Sequence, residues 1–381
     1  MSWVQSREKF DDEQNRIFDR ILEDTRKSWW IKGYAGTGKT LLLTHLANEY
    51  INLGYECAYV TYTHALKNLV NDGLKKLGKN QNNLPIYTVD SLNSLGKNYD
   101  LILVDEVQDL PQKKIEKLLL RSKRFIFAGD LNQSIFLNSA KPDKINKLLG
   151  NPMVEELRDI YRLPHAISFA SHLIYAEADS AENAEVEFKE DSSVNIVHAK
   201  NRNSEVMWIY EQALKLSRKT EPSAILFSKH KELQDFITIL CESKGLGSPP
   251  KIEKAKLGGG FDYNLWNKFL ERKGISLMYF GGVSGGQISD VSQKRLILAM
   301  TLHSAKGLGF KSVFMPFMTE SRMTCPYPPL KNNDEWQRRF AYVAVTRSHL
   351  DFYASYTGKK NEILDLLEDE NLDKYLKHIK V

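Results

Sequence analysis

The stretch Trp29-Trp30-Ile31-Lys32-Gly33-Tyr34-Ala35-Gly36-Thr37-Gly38-Lys39-Thr40 decides how this chain folds. Residues 28–34 form a short apolar run broken by glycine, and residues 41–54 (LLLTHLANEYINLG) read as a helix. Between them, residues 33–40 satisfy the pattern GxxxxGK[ST] at every position. Strand, glycine loop and helix in that order make a phosphate cradle. The glycines let backbone N–H groups turn inward around phosphate oxygens, and the helix contributes its positive N-terminal end. Lys39 is expected to reach the β- and γ-phosphates, and the Thr40 hydroxyl to ligate Mg²⁺.

Working outward, residues 56–63 (ECAYVTYT), 101–106 (LILVDE) and 124–130 (RFIFAGD) read as further strands with helical spans between them. Short apolar runs separated by helices predict a parallel sheet covered on both faces. Ligands of such sheets sit beyond the carboxyl ends of the strands, where Gly33, Asp105 and Asp130 fall. Asp105-Glu106 therefore supplies the second half of the site. Asp105 is expected to hold Mg²⁺ through its water, and Glu106 to orient and deprotonate an attacking water.

A second α/β unit is expected from about residue 151. Residues 165–178 have helical spacing, and 181–193 form an acidic connection. VNIVHA, SAILFS, RLILAMTL (295–302), SVFMPF (312–317) and LDFYAS (350–355) read as strands, and a polar helix is expected to close the chain. Residues 245–260, rich in Gly, Pro and Lys, read as a loop or small insertion. The domain expectation is thus an ATP-binding unit over 1–150 and a second unit over 151–381, with a small insertion near 245–290.

With 381 residues, 42% hydrophobic and 27% charged, the chain is long enough for two or three domains and is not disordered as a whole. No apolar run approaches the roughly 18–20 residues that span a bilayer, so no membrane partner is expected. The three cysteines, Cys57, Cys241 and Cys325, are too far apart for a zinc or redox motif. A reducing, cytoplasmic setting is expected. The net charge of +5 permits contact with an anionic polymer without demonstrating it. The basic run at 113–124 reads as a solvated helix face.

These and later segments together resemble the superfamily 1 DNA helicases of the UvrD/Rep type. Gln14 in FDDEQNRIF resembles the glutamine that reads the adenine edge. YVTYTHA (59–65), with Thr63 and His64, is similar to a strand end that contacts single-stranded DNA. VDEVQD (104–109) is close to the family's carboxylate box, and GDLNQSIF (129–136) resembles the segment whose glutamine, here Gln133, senses the γ-phosphate. ELRDIYRLP (156–164) is similar to the segment in which Tyr161 would stack on the base and Arg162 contact the γ-phosphate. TLHSAKGLGF (301–310), with His303, and RRFAYVAVTRS (338–348), with Arg347 as a second phosphate-contacting arginine, complete the set.

The resemblance implies two tandem RecA-like P-loop domains, each a mostly parallel sheet with helices on both faces. It also implies a Mg²⁺- and ATP-dependent translocase on single-stranded nucleic acid, hydrolysing ATP in the cleft between the domains. An alternative is a nucleic-acid-sensing ATPase switch, a subunit of a larger complex that does not unwind by itself. For Phe136 and Tyr161, core packing and base stacking both stay open. For His64 and His303, a nucleic-acid contact and a structural role both stay open.

Three departures stand out. The stretch from Thr63 to Asp105 is too short for the accessory domain inserted there in the family. Gly309 replaces the glutamate of the KGLEF segment, a carboxylate expected near the ribose. After GDLNQSIF, Leu137-Asn138-Ser139 stands where the resemblance implies a base-stacking tryptophan. Two bare motor domains should hydrolyse ATP better than they unwind, with a partner protein docking near 245–260.

Overall fold

The computed structural model describes residues 5–77, 84–136, 139–140, 142–161, 163–175, 192–252, 261–281, 294–320 and 334–381. Arg162, Asn138, Cys325, the acidic stretch 181–191 and residues 253–260 and 282–290 of the expected insertion lie outside them. The chain divides into two compact units, residues 1–162 and 163–381.

The first unit runs α1 (Asp12–Glu23), β1 (Trp29–Gly33), α2 (Lys39–Asn52), β2 (Cys57–Thr61), α3 (His64–Lys76), β3 (Ile86–Thr88), α4 (Val89–Leu95), β4 (Leu101–Val104), α5 (Gln112–Leu119), β5 (Phe125–Gly129), α6 (Pro142–Leu148) and β6 (Met153–Leu157). The sheet order is β3-β2-β4-β5-β1-β6, with every pairing parallel. Alternation along each strand makes two cores. Trp29, Ile31, Tyr59, Leu103 and Ile126 pack on one side with residues of α1, α2 and α3. Trp30, Ala58, Val60, Ile102 and Phe127 pack on the other with residues of α4, α5 and α6. Trp29 and Trp30 are both buried, and their indole N–H groups have no acceptor among the described residues. Each ring removes about 150–250 Å² from water, which at about 25 cal/mol per Å² contributes roughly 4–6 kcal/mol. An unmet N–H costs only about 1–3 kcal/mol, so burial wins.

The second unit runs α7 (His165–Ile174), β7 (Ser193–Ala199), α8 (Arg202–Leu216), β8 (Ser223–Phe227), α9 (His230–Ser243), α10 (Asn264–Arg272), β9 (Leu277–Tyr279), β10 (Ile297–Thr301), α11 (Leu302–Ala305), β11 (Phe310–Met315), α12 (Asp334–Val345), β12 (Ser348–Thr357) and β13 (Leu376–Lys380). Its sheet, β13-β7-β12-β11-β8-β10-β9, is also parallel throughout. Residues of α8, α9 and α10 share a core with one face, while α7 and α12 pack on β12. Two parallel sheets clad by helices make a pair of tandem RecA-like domains.

Two expectations change. Residues 153–157, placed with the second unit by sequence, form β6 and pair with β1 in the first sheet. Glu155 of β6 is buried and accepts from Arg16 (3.1 Å) and Arg20 of α1, which ties the strand to the first unit. The chain closes with strand β13 beside β7 and not with a polar helix. An edge strand with three of its five residues exposed carries the polar sequence LKHIK without an apolar run to mark it. No helix among the described residues is long and apolar enough to cross a membrane.

Candidate active site

All strands of the first sheet are parallel, so their carboxyl ends share one edge. Gly33, Asp105, Asp130 and the segment after Leu157 emerge there, and β5 separates the β1 loop from the β4 carboxylates. Gly36 and Gly38 adopt left-handed backbone (φ 86° and 88°), which turns the loop back on itself. A Cβ on Gly33 would lie 2.8 Å from the Leu157 carbonyl oxygen, and one on Gly38 would lie 2.7 Å from Gln14 Nε2. The loop is therefore wedged between β6 and α1. Lys39 Nζ donates to the carbonyls of Gly33 (2.8 Å) and Tyr34 (2.5 Å).

Gln14 is buried, and its Nε2 donates to Thr37 O at 3.5 Å. Its own backbone N–H donates to Asp11, the N-cap of α1, at 2.7 Å. On the same side of the loop, Tyr161 N donates to Gly36 O (3.3 Å), and its hydroxyl donates to Asp159 Oδ2 (3.1 Å) with the Asp11 carboxylate nearby. Burial, and then the neighbouring Asp11 and Asp159 carboxylates, push its phenol upward. The structure thus brings together Gln14, Tyr161 and the loop.

At the other end of the loop, Thr40 Oγ1 donates to Asp105 Oδ2 at 2.8 Å, and Glu106 N donates to Asp105 Oδ1 at 3.0 Å. Burial, and then the neighbouring Glu106 charge, push the Asp105 carboxyl up to about 6. Glu106 itself has left-handed backbone (φ 55°), a conformation that costs a non-glycine residue about 1–2 kcal/mol. Gln108 was not singled out by sequence, yet it connects the boxes. Its Nε2 donates to Glu106 Oε2, and its Oε1 accepts from Asp130 N at 3.2 Å. A Cβ on Gly129 would sit 2.3 Å from that amide oxygen, which is why glycine precedes Asp130. Gln133 Nε2 donates to Asp130 Oδ2 at 2.8 Å, so Glu106, Gln108, Asp130 and Gln133 form one buried chain of hydrogen bonds.

Chemically, this edge offers loop N–H groups for anionic oxygens, and one hydroxyl and one carboxylate for a hard cation. Among the described residues no trio of His, Cys, Asp or Glu is grouped as for a protein-only metal cage. A carboxylate, a hydroxyl and water suit Mg²⁺, which keeps much of its hydration.

The proposed nucleic-acid contacts divide between the units. Thr63 caps α3 by accepting from Leu66 N (3.2 Å), and His64 beside it is exposed. Phe136 packs edge-on against Tyr62 with centroids 4.5 Å apart, and Lys114 Nζ lies 5.4 Å from the Tyr62 ring. Tyr62, inside a segment already quoted, thus joins this aromatic pair. In the second unit, His303 is half-buried beside Phe340. Arg347 is 1% exposed, and its guanidinium donates to Val343 O (3.1 Å), Leu308 O (3.1 Å) and Thr346 Oγ1 (3.2 Å). The Gly309 departure has a local cause. A Cβ there would lie 2.1 Å from His349 Nε2, so this histidine ring and a glutamate at 309 exclude each other.

The AAA domain family matches residues 9–199, and the UvrD-like helicase C-terminal domain matches residues 275–359. The ATP-dependent DNA helicase Rep of Buchnera aphidicola subsp. Schizaphis graminum is 42% identical over 74 residues, 18% of this chain and 10% of that protein. Its counterpart from Buchnera aphidicola subsp. Acyrthosiphon pisum is 35% identical over 78 residues, 20% of this chain and 12% of that protein. The chain spans about a tenth of the length of the curated relatives it matches. Among solved structures, arterivirus nonstructural protein 10 (helicase) in complex with DNA aligns with a TM-score of 0.49 at 17% identity, covering 93% of this chain and 66% of that one. The C-terminal domain of a possible Lactobacillus DNA helicase aligns at 0.36 with 13% identity, over 58% of this chain and 98% of that one. With an AAA domain across half its length and a UvrD-like C-terminal domain behind it, the chain belongs to the UvrD/Rep-type superfamily 1 helicases.

Proposed function

We propose that this chain hydrolyses Mg²⁺-ATP at the carboxyl edge of the first sheet and uses the cycle to move along single-stranded nucleic acid, DNA in the first instance. The observation that carries the hydrolytic half is Thr40 Oγ1 on Asp105 Oδ2 at 2.8 Å, with the Glu106 carboxylate on the next residue. Mg²⁺, when bound, would neutralise phosphate charge. Thr40 and Asp105 are the residues to hold it. The loop N–H groups of Gly33, Gly36 and Gly38, together with Lys39, take the phosphates, and Gln14 and Tyr161 take the base. Glu106, aimed by Gln108, orients the attacking water and accepts its proton. Gln133, Arg162 and Arg347 are the proposed contacts to the γ-phosphate.

Thr63, His64, Phe136 and His303 are the proposed contacts to the strand. Binding of a labelled oligonucleotide across a salt series tests this half. With roughly four to six phosphate contacts, the log–log slope should be about −3 to −4, from ~0.7 per phosphate. A slope near zero would remove the nucleic-acid track from the proposal.

Duplex engagement is proposed to need a partner protein. Supporting this, a cavity of about 510 Å³ in the second unit is lined by Arg202, Lys231, Pro250, Ile252 and Trp266, next to the Gly/Pro-rich stretch. Strand displacement by the chain alone should then be weak, and rapid processive unwinding would show that no partner is needed.

A further inference from the structure

The hydrolytic site as described uses Thr40 and Asp105 but not the tyrosine beside them. Tyr59 lies in the middle of β2, is fully buried and packs in the core shared with α2. Its hydroxyl donates to Asp105 Oδ2 at 3.0 Å, the same oxygen that accepts from Thr40 Oγ1 at 2.8 Å. Register sets the contact. Tyr59 pairs with Leu103 across β2 and β4, so Asp105 leaves the sheet two residues further on, where the phenol reaches it. Thr44 stands one turn after Thr40 on α2, fully buried and beside the Tyr59 hydroxyl. Its own Oγ1 donates to Thr40 O at 2.6 Å, which ties the helix turn to the same cluster.

Asp105 is thereby fixed at both oxygens, Oδ1 by the Glu106 amide and Oδ2 by two hydroxyls. The two hydroxyls are not equivalent. Thr40 is itself a proposed ligand and must turn its oxygen toward a cation, whereas Tyr59 sits beneath the carboxylate in the core. A buried phenol is costly unless its hydroxyl is paired, and phenylalanine would fill the same space without that demand. We infer that Tyr59 is a positioning residue for the divalent cation, holding the Asp105 carboxylate in the orientation in which it and Thr40 receive Mg²⁺ and its water. The inference rests on the proposed ATPase reading. Partners of metal ligands of this kind change metal affinity by about 10–100-fold when removed.

The test is Tyr59→Phe in the full chain, with Mn²⁺ as the probe cation and a non-hydrolysable ATP analogue present. Free Mn²⁺ is followed by electron paramagnetic resonance. The dissociation constant for Mn²⁺ should rise by about tenfold or more, while affinity for the analogue in chelator stays at the wild-type value. The Mg²⁺ concentration that half-saturates turnover should rise by the same factor. A Mn²⁺ titration superimposable on wild type overturns the inference. If Tyr59→Phe does not fold, Thr44→Val is read in the same way: cation affinity falls severalfold if Tyr59 must be held in place, and an unchanged affinity counts against the inference. A wild-type chain that binds no cation–analogue complex refutes the ATPase reading itself. A wild-type chain that binds it exactly as the Phe variant does refutes only the role of Tyr59.

Discussion

The two sheets are built alike and spend their polar side chains differently. At the carboxyl edge of the first, polar side chains meet one another: Thr40 and Tyr59 on Asp105, Gln108 on Glu106, Gln133 on Asp130. In the second, Gly309 and Arg347 immediately precede β11 and β12 and so lie at the amino ends of their strands. Arg347 donates to two backbone carbonyls and a threonine, and Gly309 is packed against His349. A parallel sheet gathers strand ends along one edge in both cases. What differs is that Thr40, Asp105 and Asp130 follow their strands and meet other side chains, whereas Gly309 and Arg347 precede theirs and are taken up by a ring and by backbone carbonyls. The proposed hydrolytic site is accordingly the carboxyl edge of the first sheet.

The largest effect that could break this contrast concerns Arg347. Arg347→Ala is expected to lower turnover by about 10²-fold or more, as arginine contacts to a transferring phosphoryl group do, with nucleotide affinity largely kept. Because the guanidinium also satisfies the Val343 and Leu308 carbonyls, the unfolding free energy from urea denaturation should fall as well, by about 1–3 kcal/mol per buried acceptor left unmet. A stability loss with wild-type turnover would assign this arginine wholly to the fold of the second unit and sharpen the contrast into a complete one.

A smaller effect is expected at Gly309. Gly309→Ala should destabilise the chain by about 1–3 kcal/mol through overpacking against His349, and His349→Ala in the same chain should recover most of it. Thermal denaturation of the two single variants and the double variant measures the coupling. Additive effects would mean that the ring and the glycine are not matched to each other.

How much of this was legible in the sequence follows the range of each interaction. The phosphate loop, the Asp105-Glu106 pair and the Gln14, Gln133 and Tyr161 positions are local patterns, and the first sheet does bring them to one edge. Tyr59 was not legible, because its partner is set by the β2–β4 register, which spacing along one strand does not reveal. Gln108 lay inside a quoted box, but its role emerges only once β5 places Gly129 and Asp130 against it. The strands β6 and β13 were missed for one reason: both are sheet edges, where polar residues replace the apolar runs that mark buried strands. The Gly309 departure looked like a lost ligand, and the histidine that accounts for it lies forty positions further along the chain.

The central claim is that Glu106, on the edge where Thr40 meets Asp105, activates water for ATP cleavage. Phosphate release by the purified chain, with and without single-stranded DNA, compared between wild type and Glu106→Gln, addresses it most directly. The account predicts release that single-stranded DNA accelerates in wild type, and a Glu106→Gln chain that still binds Mg²⁺-ATP but releases phosphate at least about 10²-fold more slowly. Equal rates in the two chains would contradict it.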